Sequence, residues 1–167
     1  MATRETERAV QQSLLDRLVD REPAAAVDDT RRWGRAKSVQ ESKRAMRRDL
    51  EWLLNTRRIV EPADEAFEEL QASLYHYGLP DISSLSADSV DARRSLLRQI
   101  EETIERFEPR MTGVRVSILE AGDFSARQVR FLIEGLLRLD PEPEPVVFDT
   151  ILETSSGKFQ IGGDGNA

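Results

Sequence analysis

The spacing of hydrophobic residues divides the chain into a helical first half and a β-rich second half. Apolar residues recur at helical intervals between residues 38 and 56 and line one stripe, which consists of Val39, Met46, Leu50, Leu53 and Leu54. Ser38 followed by Glu41 has the pattern of a capping box and predicts the start of this helix. Weaker helical patterns cover residues 63–76 and 89–107. The first half therefore predicts three helices with one apolar face each.

After Pro109 the apolar period changes to two, as in a strand with one buried face. Residues 114–118, 129–133 and 146–152 each show this alternation, and residues 158–161 predict a short fourth strand. The connections between these segments are short, which favours antiparallel pairing of consecutive strands. The predicted fold class is α+β, with N-terminal helices packed on a small antiparallel sheet of three or four strands in the C-terminal half.

The pattern also predicts the domain organisation. Residues 1–35 form an N-terminal tail with one short partner-binding helix, residues 36–161 a single α+β domain, and residues 162–167 a flexible tail. The N-terminal tail contains one small apolar cluster, which consists of Val10, Leu14, Leu15, Leu18 and Val19, but five apolar residues on a turn or two cannot hold a helix by themselves. Two interpretations stay open: these residues pack on the protein's own core, or they insert into a partner.

Composition removes several classes of function. The 167 residues include no cysteine and a single histidine, His76, so we expect no disulfide, thiolate chemistry, metal site or cofactor. The first residues do not resemble a secretory signal, and no stretch has the roughly 20 apolar residues that a membrane span needs. We therefore expect a cytoplasmic protein without membrane insertion.

Charge is distributed in blocks that favour oriented docking to other proteins. Residues 31–58 carry ten Lys and Arg against three acids, whereas residues 59–92 carry eight acids and neither Lys nor Arg. Trp33 and Trp52 within the basic block would suit nucleic-acid binding. However, Trp52 falls next to the apolar stripe of a helix and the isoelectric point is near 4.9. A solvated helix face explains the basic block better, and we expect neither nucleic acid nor a small-molecule ligand.

The motif Glu108-Pro109-Arg110 lies where the helical pattern changes to a strand pattern. It can be read as half of a glycosidase site, with Glu102 or Asp123 as second carboxylate, as a docking element, or as a helix stop. A general acid needs an apolar pocket that favours its protonated form, whereas the neighbouring Arg110 favours the ionised one. We therefore predict no catalytic residue here.

The C-terminal strands offer a second docking feature. Residues 146–161 combine few charges with strong β-propensity, so an exposed edge there would accept a strand from a partner. The residues predicted for this role are Val147, Phe148, Thr150, Ile151 and Phe159. The alternative is an ordinary internal strand next to an ordinary terminal one.

Four stretches in order resemble the TssE family, the small baseplate subunits of type VI secretion systems, which are similar to the small wedge protein of contractile phage baseplates. They are "SLLDRLVDREP", "SVQESKRAMRRDLEWLLNTRR", "ASLYHYGLPDISSL" and "IERFEPRMTGVRVSIL". The resemblance covers roughly residues 12–155. It implies a structural protein, although older labelling of the family as lysozyme-like keeps a peptidoglycan hydrolase as the alternative function.

The resemblance also implies partners. TssE-like proteins sit in a cytoplasmic baseplate docked at the inner membrane, in a wedge with TssF and TssG near TssK, and join it to the TssB/TssC contractile sheath. The wedge contacts are expected at the motif 108–110 and at the N-terminal peptide, which comprises Leu14, Leu15, Asp16, Arg17 and Leu18. The sheath is expected to add a strand to the C-terminal sheet.

Overall fold

The computed structural model describes residues 10, 13–18, 34–61, 64, 66–71, 73–81, 90–119 and 128–164. The helices in this part of the chain are α1 (Leu14–Leu18), α2 (Arg35–Asn55), α3 (Glu68–Gln71) and α4 (Val90–Phe107), with a 3₁₀ turn at Leu74–His76. The strands are β1 (Met111–Ile118), β2 (Gln128–Leu137), β3 (Glu144–Glu153) and β4 (Lys158–Asp164). Helices thus precede strands, and the predicted α+β class is confirmed.

The four strands form one antiparallel sheet in the order β1-β2-β3-β4. Each strand pairs with the next along the chain, with Val116 opposite Ile133 and Leu152 opposite Phe159. This meander is what short connections between consecutive strands favour. Its two edges are therefore β1 and β4, and β3 is internal.

The core lies between one face of the sheet and two helices. Helix α2 packs against β4 and helix α4 against β1. Alternation along the strands places their apolar residues on this face, and the largest fully buried side chains of the sheet are Met111, Phe131, Ile133, Leu137, Phe148 and Phe159. The opposite face carries Arg130 and Asp149, which form an ion pair across β2 and β3. Among the described elements, helices cover only this face of the sheet.

Helix α2 begins earlier than the capping pattern predicted. Gly34 is its N-cap, and Ser38 lies within the helix, where its hydroxyl donates to the Arg35 carbonyl at 2.8 Å. The same hydroxyl accepts the Val10 N–H at 2.9 Å. The capping-box prediction was wrong because the buried Ser38 hydroxyl accepts the Val10 N–H of the N-terminal segment rather than an N–H of its own helix.

The predicted helix over 63–76 does not continue to its end. Ser73 is extended, with φ −83° and ψ 171°, and its hydroxyl accepts the Tyr75 N–H to start the 3₁₀ turn. Serine competes in this way with helical backbone bonds. The helix predicted over 89–107 is confirmed by α4, and β4 reaches Asp164, beyond the predicted domain end at 161.

Gly78 allows the next segment to lie against the end of α2. The Leu79 N–H donates to the Thr56 carbonyl at 2.9 Å, and the Arg58 N–H donates to the Leu79 carbonyl at 2.8 Å. Gly78 has φ +99°, and a Cβ there would lie 2.3 Å from the Thr56 oxygen. Only glycine fits this contact, which buries Leu79 completely.

Among the helices in the described ranges, none combines the length and the apolar character that crossing a membrane requires.

Candidate functional site

A tight turn joins helix α4 to strand β1 at Glu108-Pro109-Arg110. The Glu108 N–H closes the helix on the Ile104 carbonyl at 2.8 Å, and the Glu108 carbonyl accepts the Met111 N–H at 3.0 Å. Pro109 occupies the second position of this turn, where its fixed φ is favoured. The backbone of this corner is therefore held by the helix on one side and by the sheet on the other.

The side chains of the motif bind each other. Arg110 donates from Nε to Glu108 Oε1 and from Nη2 to Glu108 Oε2, both at 2.6 Å. The Glu108 side chain is 8% exposed. A two-pronged, charge-assisted pair of this kind is strong and directional, so Glu108 and Arg110 close on each other within the chain.

Helix α2 supplies a second carboxylate to Arg110. Asp49 Oδ2 accepts from Arg110 Nη2 at 2.6 Å, while Asp49 Oδ1 accepts from Arg48 Nε at 2.8 Å. Asp49 therefore lies between two guanidinium groups and joins α2 to the corner.

The same chain of contacts extends to the N-terminal helix α1. Arg48 Nη2 donates to Asp16 Oδ1 at 3.0 Å, and the Asp16 side chain is only 7% exposed. Ser13 caps α1 by accepting the Asp16 N–H and donating its hydroxyl to Asp16 Oδ2. We call the five charged residues the ion network: Glu108, Arg110, Asp49, Arg48 and Asp16.

The ion network raises the pKa of its two arginines and of a neighbouring tyrosine. Hydrogen bonds to Glu108 are the main reason that the pKa of Arg110 is raised, against the opposing effect of burial. For Arg48, burial alone would lower the pKa, but the bonds and charges of Asp49 and Asp16 together raise it. Burial, aided by the charges of Asp49 and Glu108, raises the pKa of Tyr77. Both guanidinium groups therefore remain charged at any physiological pH.

The leucines of α1 face solvent. Leu14 is 75% exposed, Leu15 47% and Leu18 81%, so the interpretation that they pack on the protein's own core is wrong. Asp16, between them in sequence, is buried against α2, and the Arg17 side chain lies outside the described residues. A five-residue helix is thus fixed by its polar side and presents its apolar side outward.

The predicted sheath-binding residues do not form a strand edge. Val147, Phe148, Thr150 and Ile151 belong to β3, which is paired on both sides with β2 and β4. Phe148 and Thr150 are buried in the core, whereas Val147 and Ile151 lie half-buried on the uncovered face. Their prediction as an exposed edge was wrong, because the fourth strand β4 forms and pairs with the side of β3 that would otherwise be free.

Phe159 does lie on the edge strand β4, yet its side chain is fully buried. Asn55 binds its outward-facing backbone: the Phe159 N–H donates to Asn55 Oδ1, and Asn55 Nδ2 donates to the Phe159 carbonyl, both at 2.9 Å. The opposite edge has a similar cap, where Glu101 Oε1 accepts the Val116 N–H at 2.8 Å. Helix side chains thus satisfy part of each sheet edge.

Comparison with protein families identifies the kind of protein that contains this corner. The family model described as "Baseplate wedge protein gp25" matches residues 40–142, well over half of the chain. The chain belongs to the gp25 baseplate wedge family. The match contains the ion-network residues of α2 and of the corner but not α1, β3 or β4. A search of curated proteins returned no match to this gp25-family chain.

The gp25 family is a structural one, and the geometry of Glu108 agrees with that role. Both Glu108 oxygens accept hydrogen bonds from Arg110, so the carboxylate is already bound within the chain. Asp123 and Trp33 lie outside the described residues. Within the described ranges, no group of three or more His, Cys, Asp or Glu side chains is placed to hold a metal ion.

Sequence reasoning missed Arg48, Asp49 and Asn55 as members of this gp25-family site. A signal existed for Asp49, which is one of only three acids in the basic block 31–58. Nothing in the sequence indicated that Asp49 would meet Arg110, because 61 residues separate the two.

Proposed function

We propose that this gp25-family protein is a non-enzymatic subunit of a type VI secretion baseplate in the cytoplasm, where it links the wedge to the contractile sheath. Membership of the wedge family supports the structural role. The observation that carries the proposal is the ion network, which holds exposed leucines of α1 in a fixed position relative to the corner 108–110. TssF and TssG, with TssK nearby, are the expected wedge partners.

The wedge surface comprises Leu14, Leu15 and Leu18 together with the exposed side of the corner. Pro109 is exposed there, and the Arg110 side chain is 33% exposed although it is paired. Burying an exposed leucine in a partner contributes roughly 2 kcal/mol, so three of them would dominate the affinity of such a contact. The residues of the ion network already bind each other within the chain, so their role in this contact is to orient α1 relative to the corner.

Co-purification with TssF and TssG tests the wedge surface. We expect Leu14→Ser with Leu18→Ser to abolish recovery of these partners without lowering thermal stability, since both leucines are exposed. Leu74→Ser is the matched control, because Leu74 is likewise 81% exposed but lies outside α1. Full recovery by the double variant, or equal loss by the control, would contradict the proposed surface.

For the sheath, we propose strand addition at β4 beyond Phe159. Phe159 is capped by Asn55, but strand alternation makes Ile161 the next residue whose backbone N–H and carbonyl face away from β3. A strand of TssB or TssC pairing there would extend the sheet by a fifth strand. Such a contact needs backbone hydrogen bonds rather than particular side chains.

Replacing Ile161 by proline separates strand addition from folding. Ile161→Pro removes the outward N–H, which takes no part in the bonds to β3, whereas Ile161→Ala removes the buried side chain and keeps that N–H. We expect sheath assembly on the baseplate to fail with proline and to persist with alanine, while both variants still bind the wedge. Equal behaviour of the two variants in sheath assembly would refute strand addition at this position.

The hydrolase alternative has no specific observation in its favour. Measuring muramidase activity of the purified protein and of Glu108→Gln tests it directly. Robust activity that disappears in Glu108→Gln would overturn the non-enzymatic proposal.

A further inference from the structure

A small cavity lies between helix α4 and the segment that follows α2, away from the ion network. Its volume is about 50 Å³, and its polar lining consists of Arg58, His76, Gln99, Glu102, Thr103 and Arg106. Sites for small organic ligands usually measure roughly 300–1,000 Å³, so only a group of a few atoms fits here. The lining nevertheless concentrates hydrogen-bond donors.

His76, the single histidine of the chain, indicates that the cavity is built for a polar occupant. The residue is only 8% exposed, and its Nε2 is buried without a hydrogen-bond partner among the described residues. A buried nitrogen without a hydrogen-bond partner is unfavourable, so a group that binds it would recover the free energy lost on burial. The ring is held in place by an edge-to-face contact with Tyr75 at a centroid distance of 5.3 Å.

The charges around the cavity specify the occupant. Neither Arg58 nor Arg106 forms an ion pair within 4 Å of an acid in the described part of the chain, and Glu102 is likewise unpaired there. Two arginines and one glutamate leave one net positive charge. This charge is neutralised by a single carboxylate, whereas a phosphate ester carries nearly two negative charges and would leave about one of them without a counter-charge.

We propose that this cavity binds one carboxylate group, with Arg58 and Arg106 supplying the charge and His76 and Thr103 supplying hydrogen bonds. Arginine is suited to this role because its planar fork matches the two oxygens of a carboxylate. The carboxylate belongs either to a free small acid or to an acidic side chain of a docking protein. The proposal does not depend on the wedge or sheath contacts described above.

The side-chain NMR signals of His76 provide the test, because the tag-free protein contains no other imidazole. Acetate, phosphate and chloride are titrated at constant ionic strength and pH. We expect saturable shifts with acetate, weaker binding of phosphate and none of chloride. If acetate acts no differently from chloride, the proposal is wrong.

Charge variants give a sharper test because they predict opposite signs. Arg58→Gln and Arg106→Gln should each weaken acetate binding up to roughly fivefold, and Glu102→Gln should strengthen it by a similar factor. Arg94→Gln removes the same charge from α4 outside the cavity and should change nothing. Equal effects of all three arginine variants would show non-specific screening and would overturn the proposed site.

Two capped tripeptides, Ala-Glu-Ala and Ala-Gln-Ala, distinguish the two sources of the carboxylate. If the glutamate peptide binds at least as tightly as acetate and the glutamine peptide does not bind, the source is an acidic side chain of a partner. Binding of acetate without the peptide supports a free small acid. Equal binding of both peptides would refute recognition of the carboxylate.

Discussion

Substitution of Asp49 by alanine tests whether the ion network connects α1 to the corner. Asp49 accepts hydrogen bonds from Arg110 at 2.6 Å and from Arg48 at 2.8 Å, and its side chain is 19% exposed. Both arginines keep one acid after the substitution, Glu108 for Arg110 and Asp16 for Arg48. The variant thus cuts the network in the middle without leaving either cation unpaired.

The size of the effect follows from these contacts. A hydrogen bond to a charged group contributes about 1.5–3 kcal/mol, but the side chains of Arg48 and Arg110 are 25% and 33% exposed, so water replaces part of it. For two such bonds we expect the free energy of unfolding to fall by about 2–3 kcal/mol and Tm by about 5–10 °C. Alanine favours helices more than aspartate does, so the true loss is slightly larger than the measured one.

Urea denaturation followed by circular dichroism measures this change, with Glu51→Ala as the control on the same helix. Hydrogen exchange supplies the second measurement, since residues 13–18 should lose protection in Asp49→Ala but not in the control. A loss below about 0.5 kcal/mol, or unchanged exchange in residues 13–18, would refute the idea that Asp49 couples the two surfaces.

Three further substitutions test the fold. Gly78→Ala should lower the free energy of unfolding by about 3 kcal/mol, because the new Cβ clashes with backbone at a position of positive φ. The control Gly113→Ala, at φ +63° in open space, should lower it by only about 1 kcal/mol. Similar losses for the two variants in urea denaturation would show that the structure relieves the clash. Asn55→Ala should cost about 1–2 kcal/mol and speed amide exchange at Phe159, and an unchanged exchange rate there would remove its role as an edge cap. Phe131→Ala should lower the free energy of unfolding by about 3–5 kcal/mol with an unchanged denaturant slope. A loss below about 2 kcal/mol would mean that the core collapses into the space left by the missing ring.

Much of the fold was predictable because the spacing of hydrophobic residues along the chain determines where its helices and strands lie. The change from helical spacing to alternation at Pro109 marks the point where α4 ends and the sheet begins. The four strands and their pairing in chain order followed from alternation and from short connections. The failures were local as well: Ser38 did not cap α2, and Ser73 ended a predicted helix, because each hydroxyl found a different backbone partner.

The sequence by itself determined the helices, the strands and the corner at 108–110, since each depends on residues that are neighbours along the chain. It could not determine that Asp49 would bind Arg110 or that Asn55 would cover an edge of β4. These facts depend on contacts between distant segments, and no local pattern encodes which side chain meets which. The tertiary structure alone decided that the Glu108–Arg110 pair closes on itself and that the neighbouring leucines of α1 remain exposed.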